Sequence, residues 1–259
     1  MLLKDKVAVI TGIGPGMGRA IALAFAREGA SLALGARTED RLRAIAKEAE
    51  AFGHPVIAMP TDLADEHSCH QIVQAAIERF GGVDILVQNG ADGGDFKSVM
   101  DAKPERWHRI MEVNFFGTVY LVQAAVPSMK ERGEGRIILI NSGAGVDPMP
   151  NFGGYGASKA ALASLVRSLA TELGQFGIRA NGVHLGPVAE EHHRQWQIIQ
   201  ARKAGVTVEE FYKQFTAIFP LRYVPSPEEC AGTVLYLASD LARPITGQAL
   251  FVNCGRFGT

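Results

Sequence analysis

Two ionisable side chains of this sequence have a spacing that suits proton transfer. Tyr155 and Lys159 stand four residues apart in a segment of helical period, so their side chains share one face of the predicted helix. A phenol with a pKa near ~10 is a poor acid–base catalyst at neutral pH. An adjacent ammonium favours the phenolate, so we expect Lys159 to lower the pKa of Tyr155 into a useful range. Such a pair also occurs by chance on helix surfaces.

A glycine-rich segment follows the first predicted strand. Thr11-Gly-Ile-Gly-Pro-Gly-Met-Gly18 separates an apolar run from a segment of helical period. Glycines let backbone N–H groups approach a ligand, and the N-terminus of the next helix attracts a phosphate. The spacing is T-G-x-x-x-G-x-G rather than G-x-G-x-x-G, but its place between strand and helix predicts a dinucleotide site. A tight turn without a ligand is the alternative.

The end of the second predicted strand bears on the choice of dinucleotide. An NAD site usually has an acidic residue here that accepts the ribose 2′-OH, whereas an arginine can bind a 2′-phosphate. This chain has Ala36 and Arg37 at that point, so NADP(H) is favoured over NAD(H). Pro15 in the glycine segment supplies no second cation. A solvated arginine without a ligand is the alternative.

The elements that must position these residues alternate along the chain. Short apolar runs predict the strands Val7–Thr11, Ser31–Gly35, Val56–Met59, Asp84–Val87, Arg136–Asn141, Arg179–His184 and Ala249–Val252. Between them, helical period predicts helices over 16–29, 39–52, 65–80, 104–131, 152–176 and 227–239. Continuously apolar strands are typical of a parallel sheet covered on both faces. We therefore predict an α/β fold, a Rossmann-type doubly wound parallel sheet of about seven strands in a single domain over residues 1–259.

One segment, 187–226, interrupts this alternation. It has no predicted strand and carries scattered aromatic residues, so we expect a small helical lid over the ligand crevice. Trp196 is the aromatic residue that we assign to the wall of the substrate pocket, while the others are expected to pack the lid. Glu190-Glu-His-His-Arg194 begins the lid, either as a solvated helix end or as a contact for a polar substrate.

Several motifs together resemble the short-chain dehydrogenase/reductase family in its compact branch. The resemblance runs from about Lys6 to Gly255 and follows the family's motif order. The motifs are Thr11-Gly-x-x-x-Gly-x-Gly18, Asp62 after the third strand, Asn89 after the fourth, Asn114 in a long helix, Ser142, and Tyr155-x-x-x-Lys159. The resemblance implies an oxidoreductase that moves a hydride between NADP(H) and a carbonyl or secondary alcohol.

The resemblance also implies catalytic roles for Asn114, Ser142, Tyr155 and Lys159. Tyr155 would donate a proton to the substrate oxygen or accept one from it, and Ser142 would orient that oxygen. Lys159 would bind the nicotinamide ribose and lower the pKa of Tyr155. Asn114 would hold a water that connects the lysine to solvent.

Binding roles follow from the same resemblance. Asp62 and Leu63 would contact the adenine, and Asn89 and Gly90 would lie against its ribose. The expected cofactor-binding set is Gly12, Gly16, Met17, Gly18, Arg37, Asp62, Leu63, Asn89, Gly90, Tyr155, Lys159, Gly186 and Val188. The expected substrate-binding set is Ser142, Gly143, Tyr155 and Trp196.

The chain departs from the family pattern at three points. Gln88-Asn-Gly-Ala91 replaces Asn-Asn-Ala-Gly and keeps its asparagine. Glu190 stands where a threonine often meets the nicotinamide carboxamide, which puts that contact in doubt. Gly143 after Ser142 leaves more room beside the reacting carbonyl. None of these changes removes one of the four catalytic residues.

Charge and composition limit the other partners. A net charge of −1 gives no electrostatic basis for binding nucleic acid or an anionic membrane. No uncharged apolar run approaches the roughly 20 residues of a membrane helix, and the first residues do not resemble a secretory signal. Three cysteines without paired spacing fit a reducing compartment, so we expect a cytoplasmic protein. We expect no metal site, because Cys69 would point away from His67 and His70 on their helix.

Two further questions concern assembly and chemistry. The resemblance implies a homotetramer built partly by the two long helices, with a dimer as the alternative. A non-catalytic dinucleotide-binding sensor or scaffold is the main alternative function, because a fold does not fix an activity. The intact set of four residues argues against it. Enoyl reduction and sugar epimerisation are disfavoured, since relatives of those types differ in tyrosine–lysine spacing or in length and glycine spacing.

Overall fold

A parallel sheet forms the centre of the molecule. The computed structural model describes residues 1–256, and within them seven strands pair in the order β3-β2-β1-β4-β5-β6-β7. The strands are β1 (Val7–Thr11), β2 (Ser31–Ala36), β3 (Val56–Pro60), β4 (Ile85–Gln88), β5 (Gly135–Ser142), β6 (Ile178–Leu185) and β7 (Ala249–Val252). The predicted fold is confirmed. The strand order reverses between β1 and β4, and ligands of such sheets bind at the carboxyl ends near this reversal.

Helices cover both faces of the sheet. They are α1 (Met17–Arg27), α2 (Glu39–Glu50), α3 (Glu66–Phe80), α4 (Pro104–Met111), α5 (Gly117–Arg132), α6 (Gly153–Leu173), α7 (Glu191–Ala204), α8 (Val208–Thr216) and α9 (Pro227–Ala238). Residues of α1, α2 and α9 pack in one buried cluster, and residues of α3, α5 and α6 pack in the other. The central strands β1, β4 and β5 are buried between these two layers, as predicted, whereas the edge strands β3 and β7 are mostly half-buried.

The sequence predicted one uninterrupted helix over 104–131, but the structure interrupts it with a turn of a different kind. A π-helical turn over Glu112–Phe116 joins α4 to α5, and Asn114 lies in it. The Thr118 hydroxyl donates a 2.9 Å hydrogen bond to the carbonyl oxygen of Asn114. One extra residue in a turn leaves the apolar period on both sides intact, so the sequence pattern does not reveal it. Such turns are frequent at functional sites.

The continuous helical run Pro104–Arg132 is long and apolar enough to pass a length-and-composition test for a membrane span. Core helices that cover a sheet pass the same test. Its buried residues, among them Leu121, Val122 and Met129, pack with α3, α6 and the sheet. Its apolar character is therefore accounted for in part by the protein core.

The segment 187–226 contains α7 and α8 and, as predicted, no strand among its residues, all of which the structure describes. The two helices pack through aromatic side chains. The Trp196 ring lies 5.6 Å from that of Phe211 and 5.2 Å from that of Phe215, measured between centroids. We call α7 and α8 together the lid.

Candidate active site

The carboxyl ends of β1, β4 and β5 bring the predicted motifs to one edge of the sheet. The glycine loop follows β1, Asn89 follows β4, and Ser142 ends β5. The first turn of α6 then carries Tyr155 and, one turn later, Lys159 on the same helix face. Residues far apart in the chain are thus neighbours because parallel strands end together.

The glycine loop is held against the loop after β4 by backbone contact. Gly12 has a φ of +77°, and a Cβ on it would overlap the backbone nitrogen of Gly90. The Asn89 amide donates a 2.8 Å hydrogen bond to the Gly12 carbonyl oxygen. A Cβ on Gly18 would overlap the same carbonyl oxygen. The loop therefore forms a cradle of backbone atoms that side chains would fill, and it leads into the N-terminus of α1.

The predicted adenosine contacts lie along the ends of β2 and β3. Arg37 is exposed, and its side chain has no hydrogen bond or ion pair to any residue in the part of the chain that the structure describes. Asp62 Oδ1 accepts a 3.0 Å hydrogen bond from the N–H of Ala64, and Oδ2 lies 3.4 Å from Arg109. Leu63 is buried, and its side chain lies against Gly90. Arg37 is therefore available to a ligand.

The loop after β6 is fixed to the sheet rather than open. The Gly186 N–H donates to the Val252 carbonyl oxygen at 3.1 Å, and a Cβ on Gly186 would lie 2.9 Å from that of Asn253. Val188 is buried in the core beside α1 and α9. The cofactor contacts expected of Gly186 and Val188 stay predictions.

Tyr155 and Ser142 meet at the centre of the site. The Ser142 side chain interacts with the Tyr155 phenol, and its Oγ accepts a 3.2 Å hydrogen bond from the Ala144 N–H. Burial raises the pKa of Tyr155, and the interaction with Ser142 offsets only part of that rise. The predicted lowering of this pKa by Lys159 is therefore wrong for the site as it stands, because desolvation of the phenolate outweighs its stabilisation.

Lys159 is buried behind the tyrosine. Its side chain is 2% exposed, and Nζ donates a 2.8 Å hydrogen bond to the Ile140 carbonyl oxygen. Nζ lies 5.6 Å from the centroid of the Tyr155 ring. Burial lowers the pKa of Lys159 to about 8. The ammonium thus turns toward the end of β5, which explains its small effect on the phenol.

Asn114 joins the π-helical turn to two other parts of the site. Its Oδ1 accepts a 2.7 Å hydrogen bond from the Asp92 N–H, and its Nδ2 donates to the Asp92 carbonyl oxygen at 3.0 Å. Nδ2 also donates to Ser158 Oγ at 2.9 Å, and Ser158 donates to the Tyr155 carbonyl oxygen at 2.7 Å. Asn114 therefore positions the loop after β4 and the first turn of α6. Its proposed water remains a prediction.

A cavity beside Tyr155 is lined by two loops that the sequence places at this edge. The loop after β4 contributes Gly93–Lys97, and the loop after β5 contributes Asn151 and Phe152. Trp107 of α4 also lines it, which the sequence analysis did not foresee. Trp196 packs within the lid and is not among the lining residues, and Gly143 is buried in the turn after Ser142. The substrate contacts of Trp196 and Gly143 stay predictions.

His184 of β6 was missed by the sequence analysis. It is buried beside Asn141 of the neighbouring strand, and neither ring nitrogen has a hydrogen-bond partner among residues 1–256. Burial and the charge of Lys159 lower its pKa to about 4, so the imidazole is neutral. A histidine between Val183 and Leu185, in the buried half of β6, was the available signal. Cys69 is likewise buried, and the described residues contain no group of three or more histidine, cysteine or acidic side chains that could hold a metal.

Glu190, the residue at the family's threonine position, contacts the glycine loop. Its Oε1 accepts a 2.6 Å hydrogen bond from the N–H of Met17, and a Cβ on Gly16 would overlap this carboxylate. Its Oε2 lies 3.1 Å from Nδ1 of His192. The sequence left a nicotinamide contact at this position in doubt, and the Glu190 side chain reaches the start of α1.

Comparisons with known proteins agree with this geometry. The family described as Enoyl-(Acyl carrier protein) reductase matches residues 12–256. L-rhamnose 1-dehydrogenase (NAD(P)(+)) of Azotobacter vinelandii is 37% identical over 262 residues, which cover 99% of this chain and 98% of the relative. Dehydrogenase/reductase SDR family member 4 of Bos taurus is 33% identical over 253 residues, which cover 98% of this chain and 88% of that relative.

A solved structure resembles the whole fold. L-sorbose reductase from Gluconobacter frateurii, complexed with NADPH and L-sorbose, superposes with a TM-score of 0.94 at 33% identity and full coverage of both chains. The fold of the chain is thus that of enzymes that act on alcohols and carbonyls.

Proposed function

We propose that this chain, which belongs to the short-chain dehydrogenase/reductase family, transfers a hydride between NADP(H) and a carbonyl or secondary alcohol, with Tyr155 as the general acid or base. The observation that carries the proposal is the contact of Tyr155 with Ser142, one helical turn from Lys159 and at the same edge of the sheet as the backbone cradle of the glycine loop. One edge of the sheet thus carries the proposed proton donor, the hydroxyl that would orient the substrate and the backbone cradle for the cofactor.

The reductive direction assigns the proton to the phenol. Burial keeps Tyr155 neutral, so its O–H can donate to the substrate oxygen as negative charge develops there. Ser142 can donate a second hydrogen bond to the same oxygen. In the oxidative direction the phenolate accepts the alcohol proton. The nicotinamide supplies or accepts the hydride when it is bound.

Lys159 and Asn114 support that proton transfer. With a pKa lowered to about 8, Lys159 can exchange a proton near neutral pH and can stabilise a phenolate once Tyr155 has lost its proton. Asn114 fixes the turn of α6 that carries Tyr155 through Ser158. We expect a water near Asn114 to connect Lys159 with solvent.

The cofactor preference is supported by Arg37. The glycine cradle and the N-terminus of α1 suit a diphosphate, and the exposed guanidinium suits a 2′-phosphate. The Azotobacter vinelandii relative is named for use of NAD(P)+, and the L-sorbose reductase structure holds NADPH. We therefore propose NADP(H) as the preferred cofactor.

A small polyhydroxylated molecule is the substrate class that we test first. Two of the similar proteins are named for L-rhamnose and L-sorbose. The cavity beside Tyr155 is lined by the polar residues Asp95 and Asn151 and by Phe96 and Phe152, whose rings are tilted against each other with centroids 4.8 Å apart. Such a mixture can bind hydroxyl groups on one side and the carbon skeleton on the other. The family description names enoyl reductase, but the four-residue spacing of Tyr155 and Lys159 favours carbonyl chemistry.

A panel of carbonyl and alcohol substrates tests the proposal. NADPH oxidation is followed at saturating cofactor with ketoses, aldoses, steroid ketones and an enoyl thioester. Turnover with a ketose or aldose would support the proposed reaction, and turnover restricted to the enoyl thioester would contradict it. Tight NADPH binding without turnover on any of them would instead favour the sensor or scaffold.

A further inference from the structure

A carboxylate of the lid lies on the glycine loop. Glu190 Oε1 accepts its 2.6 Å hydrogen bond from Met17, which is 173 positions earlier in the chain. Met17 is the first residue of α1, and Gly16 before it has no side chain. Because a Cβ on Gly16 would overlap the Glu190 carboxylate, this side chain fills the space that the glycine leaves above the helix N-terminus.

That N-terminus is also the expected phosphate site. In its described residues, α1 has no side-chain N-cap hydrogen bond and no acidic residue in its first turn. The Arg19 N–H already donates to the Gly14 carbonyl oxygen at 2.9 Å, so the N–H groups of Met17 and Gly18 are the ones that need another acceptor, and an anion is favoured there. Glu190 supplies such an anion. A dinucleotide diphosphate would use the same donors and the same space.

Glu190 is at the same time the residue from which the lid begins. It is the N-cap residue of α7, and its carbonyl oxygen accepts a 3.0 Å hydrogen bond from the Arg194 N–H. The Ala189 N–H donates to the Pro225 carbonyl oxygen at 2.8 Å, which joins the two ends of the lid segment. The contact of Glu190 with Met17 therefore ties the residue that begins α7 to the residue that begins α1.

We propose that Glu190 is a latch, a carboxylate that holds the start of the lid on the glycine loop and that the cofactor diphosphate must displace. The proposal rests on the proposed function, because it takes the glycine loop as the diphosphate site. Cofactor binding then costs the Glu190–Met17 contact and frees the first turn of α7. The threonine usual at this position in the family carries no charge and would not compete in this way.

Binding measurements test the competition. Isothermal titration with NADPH, and separately with inorganic pyrophosphate, compares the wild type with Glu190→Gln and Glu190→Thr. Glu191→Gln is the matched control, because it removes the same charge from the next residue, whose side chain is exposed and bonded to Gln195. Since hydrogen bonds to charged groups are roughly twice as strong as neutral ones, we expect both Glu190 variants to bind NADPH about tenfold more tightly. The affinity for pyrophosphate should also be higher in both Glu190 variants than in the wild type.

Hydrogen exchange in the absence of any ligand tests the link to the lid. Glu190→Thr should speed exchange of the Met17 amide and of the first turn of α7, residues 191–195. Glu191→Gln should leave the Met17 amide unchanged. Unaltered exchange at both places in Glu190→Thr would overturn the latch.

The outcomes separate this inference from the proposed function. If the wild type and both Glu190 variants bind NADPH equally, the latch is wrong and the dinucleotide site stands. If none of the proteins binds NADPH or NADH, the proposed function is wrong and the latch falls with it. Tighter binding in the Glu190 variants alone supports the latch and the dinucleotide site on which it rests.

Discussion

At the scale of single residues, burial decides the protonation of the two central side chains. It raises the pKa of the Tyr155 phenol and lowers the pKa of the Lys159 ammonium to about 8. Both changes favour the uncharged form, because desolvation penalises the charged form of each group more than its neighbours stabilise it. The phenol is thus prepared to act as an acid, and the lysine is prepared to lose a proton near neutral pH.

Lys159 should give the protein a characteristic pH dependence of stability. Its pKa of about 8 in the folded protein lies below the ordinary 10.5, so between these values the unfolded chain binds a proton that the folded chain does not. Wild-type stability should therefore rise with pH across this window, relative to Lys159→Met, by about 3 kcal/mol. Urea unfolding at a series of pH values measures it. The exposed Lys47→Met should follow the wild type, and parallel profiles for wild type and Lys159→Met would contradict the prediction.

Arg37 carries the cofactor preference. Replacing it with alanine should weaken NADPH binding by about 10- to 100-fold, because a hydrogen bond to a charged phosphate is worth about 1.5–3 kcal/mol. NADH, which lacks the 2′-phosphate, should bind as before. Fluorescence titration of both nucleotides checks this, with the exposed neighbour Arg41→Ala as control. An unchanged ratio of the two affinities would remove the basis for NADP(H).

At the scale of elements, the π-helical turn is the part of the helix pair that organises the site. Asn114 is fully buried in it, and its amide bonds the loop after β4 and Ser158 of α6. The regular helices on either side supply the packing, whereas this one turn directs a polar side chain inward. That direction cannot be deduced from the apolar period of the sequence.

Asn114→Ala should therefore cost stability as well as activity. The substitution removes three hydrogen bonds of the Asn114 amide: two with the backbone of Asp92 and one with the Ser158 hydroxyl. We therefore expect the free energy of unfolding to fall by about 3 kcal/mol. Chemical denaturation measures the loss. Thr118→Val, which removes a single bond to the Asn114 carbonyl oxygen, should cost about 1 kcal/mol. Equal losses in the two variants would contradict the role given to the Asn114 amide.

At the scale of the whole molecule, the outward side of α5 predicts self-association. This helix buries Leu121 and Met129 against the sheet, while Phe116 at its start is 43% exposed and Phe115 and Val119 beside it are only half-buried. Exposed apolar side chains that lie close together mark a surface for another protein chain. We expect a homotetramer in solution, which light scattering would report as four times the 27.8 kDa of one chain. A monomer at micromolar concentration would contradict it, and a dimer would leave one of the two expected interfaces unformed.

The sequence predicted those features that local pattern controls. Strand β1 and its glycine loop, and the helical face shared by Tyr155 and Lys159, follow from period and spacing over a few residues. The contact of Glu190 with Met17 joins residues that only the closed fold brings together, so no local pattern indicates it. The pKa of Tyr155 was predicted in the wrong direction, because spacing reports the neighbouring cation and not the loss of water around the phenol.

Turnover of Tyr155→Phe tests the central claim most directly. Phenylalanine keeps the ring and removes the proton, so carbonyl reduction with NADPH should fall by about 10²- to 10⁴-fold while NADPH affinity stays within about twofold of the wild type. Tyr236→Phe in α9 is the control and should retain wild-type turnover. Near-normal turnover of Tyr155→Phe, with NADPH bound, would show that another group transfers the proton and would contradict the proposed mechanism.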